Sequence, residues 1–180
     1  ARTGHWEQGP GDALFAAVRA ALGDLPIVAE DLGIITAAVD ELRDRQGIPG
    51  MRVLQFDIAA EAFDPEAIPA NCVCYTGTHD NDTTVGWFNG SDGGMESIAE
   101  LALMQQRVLK RTGGSAATIH TDMLRMAFAS PARLAIAPMQ DYLGLGSFAR
   151  LNRPGTAANN WRWRLLPDQL TPAVLDSIST

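Results

Sequence analysis

Four short apolar runs, each closing on a knot of polar side chains, constrain this chain more than any other feature. They lie at 26–29, 51–56, 72–76 and 133–138. Short apolar runs bounded by turn residues read as buried strands. Glu30 and Asp31 follow the first run. Gln55 and Asp57 close the second. His79, Asp80, Asn81 and Asp82 follow the third, and Gln140 and Asp141 the fourth.

Helical patterns fill the intervals. Asp12 is placed to cap a helix whose apolar stripe is Leu14, Phe15, Val18 and Leu22, and Gly23 ends it. Thr36 opens a second helix through Leu42, closed near Gly47. A longer helix is expected over 95–111, stopping at Gly113 and Gly114, and another over 115–128, stopped by Pro131. The tail from Phe148 to Pro167 reads as mostly irregular.

Strands alternating with helices argue for an α/β fold with a parallel sheet covered on its faces. In such folds ligands bind at the carboxyl ends of the strands, where the polar knots lie here. No Gly-rich dinucleotide loop follows any strand, which favours a (β/α)8 TIM-type barrel over a doubly wound sheet. A full barrel takes about 250 residues and eight strands. With four strands in 180 residues and no initiator Met, the expectation is the C-terminal half of a barrel, strands 5 to 8 plus a tail. One partial catalytic domain then spans 1–180, without the N-terminal half of the enzyme. Open sheet edges would fall at 26–29 and 133–138.

Net charge is −7, with no block of Lys or Arg, so nucleic acid and anionic membrane are not the expected partners. No apolar stretch has membrane-spanning length and no signal pattern opens the chain. Cys72 and Cys74, two apart in a strand, point to one face and are poorly placed to bridge each other. Read as reduced core residues, they suit a cytoplasmic protein.

The cluster from His79 to Asp82 has three readings. As a metal site it lacks partners: His5 and His120 stand in unrelated contexts, and no paired His or Cys spacing occurs. As a plain polar loop it fits the turn preference of Asp and Asn. As a catalytic carboxylate it gains from Glu30, an acid at the end of another strand, where burial without a role is costly. Paired carboxylates across a sugar ring are how glycosidic bonds are usually broken. Trp87 is either a sugar-stacking ring or core, and the run NWRWRL reads as a structural clamp of the C-terminal segment.

The stretches IVAEDLGIITAAVDELRDRQGIPGMRVLQF, YTGTHDNDTTVGW and RLAIAPMQDYLGLGSFARLNRPGTAANNWRWRL resemble the 4-α-glucanotransferases, the amylomaltases or disproportionating enzymes. The match runs from GPGDALF through NWRWRL. The resemblance implies Glu30 as general acid/base and Asp80 as transition-state stabiliser. It implies His79 and Asn152 as sugar contacts, with Asp31 beside them in substrate binding. The nucleophilic Asp of the family belongs to an earlier motif, R-x-D-H-F-R-G, which this chain lacks. No role is carried to Asp57 or Glu61.

The implied activity is retaining transfer of an α-1,4-glucan segment to the 4-hydroxyl of an acceptor glucan or glucose. It needs no cofactor and no metal, and the isolated fragment is expected to be inactive. The implied partners are α-1,4-glucans, such as maltooligosaccharides and dextrins from starch or glycogen, together with the missing N-terminal half. The alternatives are an α-glucan hydrolase of related barrel architecture and a non-catalytic glucan-binding fragment.

Overall fold

A computed structural model describes residues 4–5, 7–91 and 97–179. Met95, expected to open a helix, lies outside the described residues. The chain divides into two compact units, residues 1–51 and 52–180.

The first unit carries α1 (Asp12–Leu22) and α2 (Ala37–Arg45). Asp12 is not the cap of α1. Gly11, with φ 54°, takes that position, and Asp12 opens the helix from within. Its carboxylate accepts Gln46 Nε2 at 2.6 Å, while Arg19 Nη1 donates to Gln46 Oε1 at 2.7 Å. Gln46 thereby joins the two helices by polar contacts. Neither helix buries a residue, and Leu14, Leu22 and Val39 stay exposed.

The strand expected at 26–29 does not form. One backbone bond, Ala29 N to Pro49 O at 2.8 Å, ties the segment to the residues before Gly50. A strand needs a hydrogen-bonded ladder rather than a single rung, and Val28 remains 41% exposed. The apolar run is therefore coil.

β1 (Gly50–Val53) leads into the second unit through Arg52 and Val53. With β2 (Cys72–Tyr75) and β3 (Leu134–Ile136) it makes a three-stranded sheet in the order β1-β2-β3. β2 and β3 are parallel, with Val73 opposite Leu134 and Tyr75 opposite Ile136. Each strand is shorter than its apolar run. β1 stops at Val53 because Leu54–Asp57 turns into a helical segment, α3, with both Leu54 and Gln55 buried.

The chain crosses from β2 to β3 through α4 (Thr84–Phe88), α5 (Ile98–Thr112) and α6 (Ile119–Ala129). α5 begins with a reciprocal capping box, Ser97 with Glu100, and ends on Gly113 in the left-handed conformation (φ 68°). α7 (Met139–Tyr142) and α8 (Pro172–Ser179) follow β3, and between them residues 150–166 are irregular, as expected of the tail.

The core of this unit gathers Leu54, Ile58, Cys72, Cys74, Phe88, Met104, Val108, Ile119 and Met123. Cys72 and Cys74 both belong to it and are not bridged to each other, and Val73 is buried as well. A strand buried all round is what a parallel sheet requires. Burial pushes the Cys74 thiol up to about 11, which keeps it protonated and unreactive. Trp87 packs against this core, which decides between its two readings. On β3, Leu134 and Ile136 are 52% and 42% exposed, the open edge foreseen for that run.

Candidate active site

β2 delivers the chain into the polar loop. Thr76 and Gly77, just past the strand, are both buried, and Thr83 caps α4 by accepting from Gly86 N. A Cβ on Gly77 would sit 2.6 Å from Gln55 Nε2, so this position admits only glycine without rearrangement. Asn81 folds back to accept from Thr78 N at 2.9 Å and Thr78 Oγ1 at 2.8 Å. That is the local turn chemistry expected of Asn.

The loop's two carboxylates have opposite environments. Asp82 is buried: Oδ1 accepts Thr83 N at 2.8 Å and Oδ2 accepts Ser147 Oγ at 2.6 Å. Asp80 faces solvent, with its side chain 49% exposed. Asn152 Nδ2 donates to Asp80 Oδ1 at 2.5 Å, and His79 Nε2 lies 3.4 Å from the same oxygen. The other carboxylate oxygen has no hydrogen-bond partner among the described residues. Arg150 fixes the backbone on both flanks, donating to Asp80 O at 2.6 Å and to Asn152 O at 2.7 Å.

Trp161 completes this cluster. Its ring lies 5.3 Å from the His79 ring, tilted by 34°. Its backbone holds a positive φ of 60°, a conformation rare for a bulky side chain. Trp161 N donates to Leu151 O, and Asn160 bonds Arg153 N and Thr156 O, which closes the 151–161 loop on itself. The clamp reading of NWRWRL thus covers only part of its role, because Trp161 reaches the polar loop. A cleft of about 510 Å³, lined by Ser147, Phe148, Arg150, Asn152, Arg153 and Asn160, adjoins the cluster.

In the first unit, Glu30 is exposed and has no hydrogen-bond or ion-pair partner among the described residues. Its neighbour Asp31 is the reverse. The Asp31 side chain is 4% exposed; Oδ2 accepts Arg43 Nη1 at 2.5 Å and Oδ1 accepts Met51 N at 2.7 Å. A Cβ on Gly50 would overlap this carboxylate. Asp31, expected in substrate binding, therefore has both oxygens committed to the protein and braces the segment that carries Glu30.

Sequence reasoning noted Gln55 and Asp141 only as polar residues after strands. Gln55 Nε2 donates to Asp82 O at 3.0 Å, and its Oε1 is buried without a partner among the described residues. Asp141 is 1% exposed and accepts from Thr76 and Thr84. Spacing alone could not separate these buried groups from the exposed Asp80. The only signal was that each follows an apolar run. Among the described residues, no group of three or more His, Cys, Asp or Glu is placed to hold a metal ion. No helix among them is long and apolar enough to cross a membrane.

Polar and acidic groups gathered beyond the carboxyl end of a parallel strand are placed where α/β proteins bind their ligands. The chain belongs to the glycoside hydrolase 77 family, described as 4-alpha-glucanotransferase, whose profile matches residues 1–170. It is 45% identical over 183 residues to the 4-alpha-glucanotransferase of Streptococcus pneumoniae, covering 99% of this chain and 34% of that protein. It is 49% identical over 177 residues to that of Synechocystis, covering 94% and 33%. Among solved structures it resembles the amylomaltase of Streptococcus agalactiae in complex with acarbose. The TM-score there is 0.84 at 30% identity, over 97% of this chain and 34% of that one. The amylomaltase of Corynebacterium glutamicum shares the fold, at TM-score 0.66 and 19% identity. The chain thus spans about a third of the length of the curated relatives it matches.

Proposed function

We propose that this chain is the C-terminal part of a 4-α-glucanotransferase and supplies two of its three active-site carboxylates. The whole of 1–180 is then one partial catalytic domain, the second half of a (β/α)8 barrel. Glu30 is the general acid/base and Asp80 the transition-state stabiliser. The nucleophilic Asp comes from the part of the enzyme outside this sequence.

Retaining transfer proceeds in two displacements. The nucleophilic carboxylate attacks the anomeric carbon, and the glycosidic C–O bond breaks as Glu30 gives its proton to the departing oxygen. Glu30, now ionised, takes a proton from the 4-hydroxyl of an incoming glucan. That oxygen displaces the enzyme carboxylate and restores the α-linkage. The nucleophile stands about 5 Å from Glu30 in such a geometry. Asp80, steadied by Asn152 and His79, accepts hydroxyls of the donor sugar with its open oxygen. Those bonds tighten as positive charge grows on the ring.

The observation that carries this reading is the half-exposed Asp80 carboxylate, pinned through one oxygen by Asn152 and left open at the other. The substrates are α-1,4-glucans, and the compartment is the cytoplasm. Incubation of the full-length enzyme with maltotriose tests it. Glucose together with chains longer than maltotriose is the expected outcome. Glucose and maltose alone would replace transferase by hydrolase. The 180-residue chain on its own should produce neither, and activity should return on adding the upstream part.

A further inference from the structure

Asp141 reaches the polar loop from a neighbouring strand. Tyr75 and Ile136 stand opposite each other in the parallel pair, so β2 and β3 end side by side. Beyond β3 the chain turns into α7, which carries Asp141. Its carboxylate closes on both ends of the loop that leaves β2. Thr76 Oγ1, at the loop's start, donates to Oδ2 at 2.6 Å. At the loop's end, Thr84 Oγ1 donates to the same oxygen at 2.9 Å and Thr84 N to Oδ1 at 2.8 Å. All three residues are essentially inaccessible to solvent, at 0%, 1% and 0% exposure.

Three donors converge on an acceptor-only group, so the carboxylate is fully matched in its ionised form. Burial pushes the Asp141 carboxyl above the ordinary aspartate range, opposed by the bonds from Thr76 and Thr84 and by His120. Keeping a buried carboxylate is costly unless its hydrogen bonds do something an apolar side chain cannot. Here they hold residues 76 and 84 to one point, which fixes the base of the 77–83 loop. The clamp is itself held: His120 Nδ1 lies 2.9 Å from Asp141 O, joining α7 to α6. Gly144, at φ 61°, makes room for that ring, since a Cβ there would meet His120 Nε2 at 2.9 Å.

We infer that Asp141 is a positioning residue for the glucan site: bridging Thr76 to Thr84, it sets the loop that presents His79 and Asp80 to the sugar. Asp141 touches no substrate. Its influence passes through the loop to the open oxygen of Asp80, where a misplacement of about 1 Å costs about 100-fold in rate. This inference rests on the reading of Asp80 given above.

The test uses Thr76→Val, Thr76→Ser and Asp141→Asn in the full-length enzyme, with maltotriose as substrate and acarbose as binding probe. Thr76→Val keeps the shape and removes one donor. It should lower kcat about 10- to 100-fold with KM changed less than about threefold. Thr76→Ser, which restores the hydroxyl, should recover most of that loss. Amide hydrogen exchange should quicken over 77–83 and stay unchanged in α6. Asp141→Asn should act in the same direction, and if it does not fold, the two Thr76 variants decide alone. A lower melting temperature with unchanged kcat, or faster exchange spread evenly over the unit, would overturn the inference and leave the proposed function standing. If wild type itself transfers no glucan, the proposed function fails instead. The clamp then stands only if exchange quickens at 77–83 alone and acarbose affinity falls with it.

Discussion

Two acids followed by glycine at 30–33, and two acids in the loop 77–83, look alike in the sequence and behave oppositely in the structure. In the second unit, Asp80 sits on a loop whose base is tied by Asp141, whose flank is tied by Asp82 to Ser147, and whose tip is tied by Asn152. In the first unit, Asp31 is the tied member, and Glu30 has no partner among the described residues. The contrast fits two jobs. A proton-transferring carboxylate must exchange partners during the reaction, whereas one that steadies developing charge works best held still. It also shows where the braces come from. β2 has the chain that leaves β3 beside it to supply Asp141 and Ser147, whereas the run before Glu30 has a single backbone bond to another segment, Ala29 N to Pro49 O.

The sharpest way to break this contrast is Glu30→Gln in the full-length enzyme. Glucan transfer should fall about 10²- to 10⁴-fold. Stability should move by less than about 0.5 kcal/mol, because an exposed side chain without partners is removed. Near-normal turnover would take the acid/base role away from Glu30. Thermal unfolding shows the reverse side of the contrast through Arg43→Met. The Asp31 carboxylate, 4% exposed, would lose its cation, and destabilisation by about 3 kcal/mol is expected. An unchanged melting temperature would mean that Asp31 is not braced as its contacts indicate. Asn152→Ala is the gentlest probe. Water can partly replace the amide at the half-exposed Asp80, so a loss of about 1 kcal/mol, or about fivefold in kcat/KM, is expected with little change in stability. A loss as large as that of Glu30→Gln would place Asn152 itself on the sugar.

Much of this was legible beforehand, and the failures have local causes. The apolar runs located β1, β2 and β3; β1 and β2 are buried and so have no polar face to interrupt the signal, whereas β3 is apolar yet largely exposed. They overstated strand length, since Leu54 and Gln55 are apolar or buried for a different reason: they begin α3. The run at 26–29 failed because periodicity records a residue's preference for burial and not whether a neighbouring strand is present to pair with it. Asp31 was placed on the substrate because it adjoins Glu30. Its partner in the structure, Arg43, is 12 residues further along the chain on α2, and no spacing rule connects them.

The family to which the chain belongs follows from the residues alone. AEDLG, THDND and NRPGT carry acids, amides and glycines in a fixed order, and local side-chain chemistry limits what such groups can do. Which carboxylate stays free, which is buried and which holds a loop in place was settled by the fold. Those properties depend on donors that residues 43, 76, 84, 147 and 152 bring from other elements, and such donors meet an acid only once the sheet and its helices have packed.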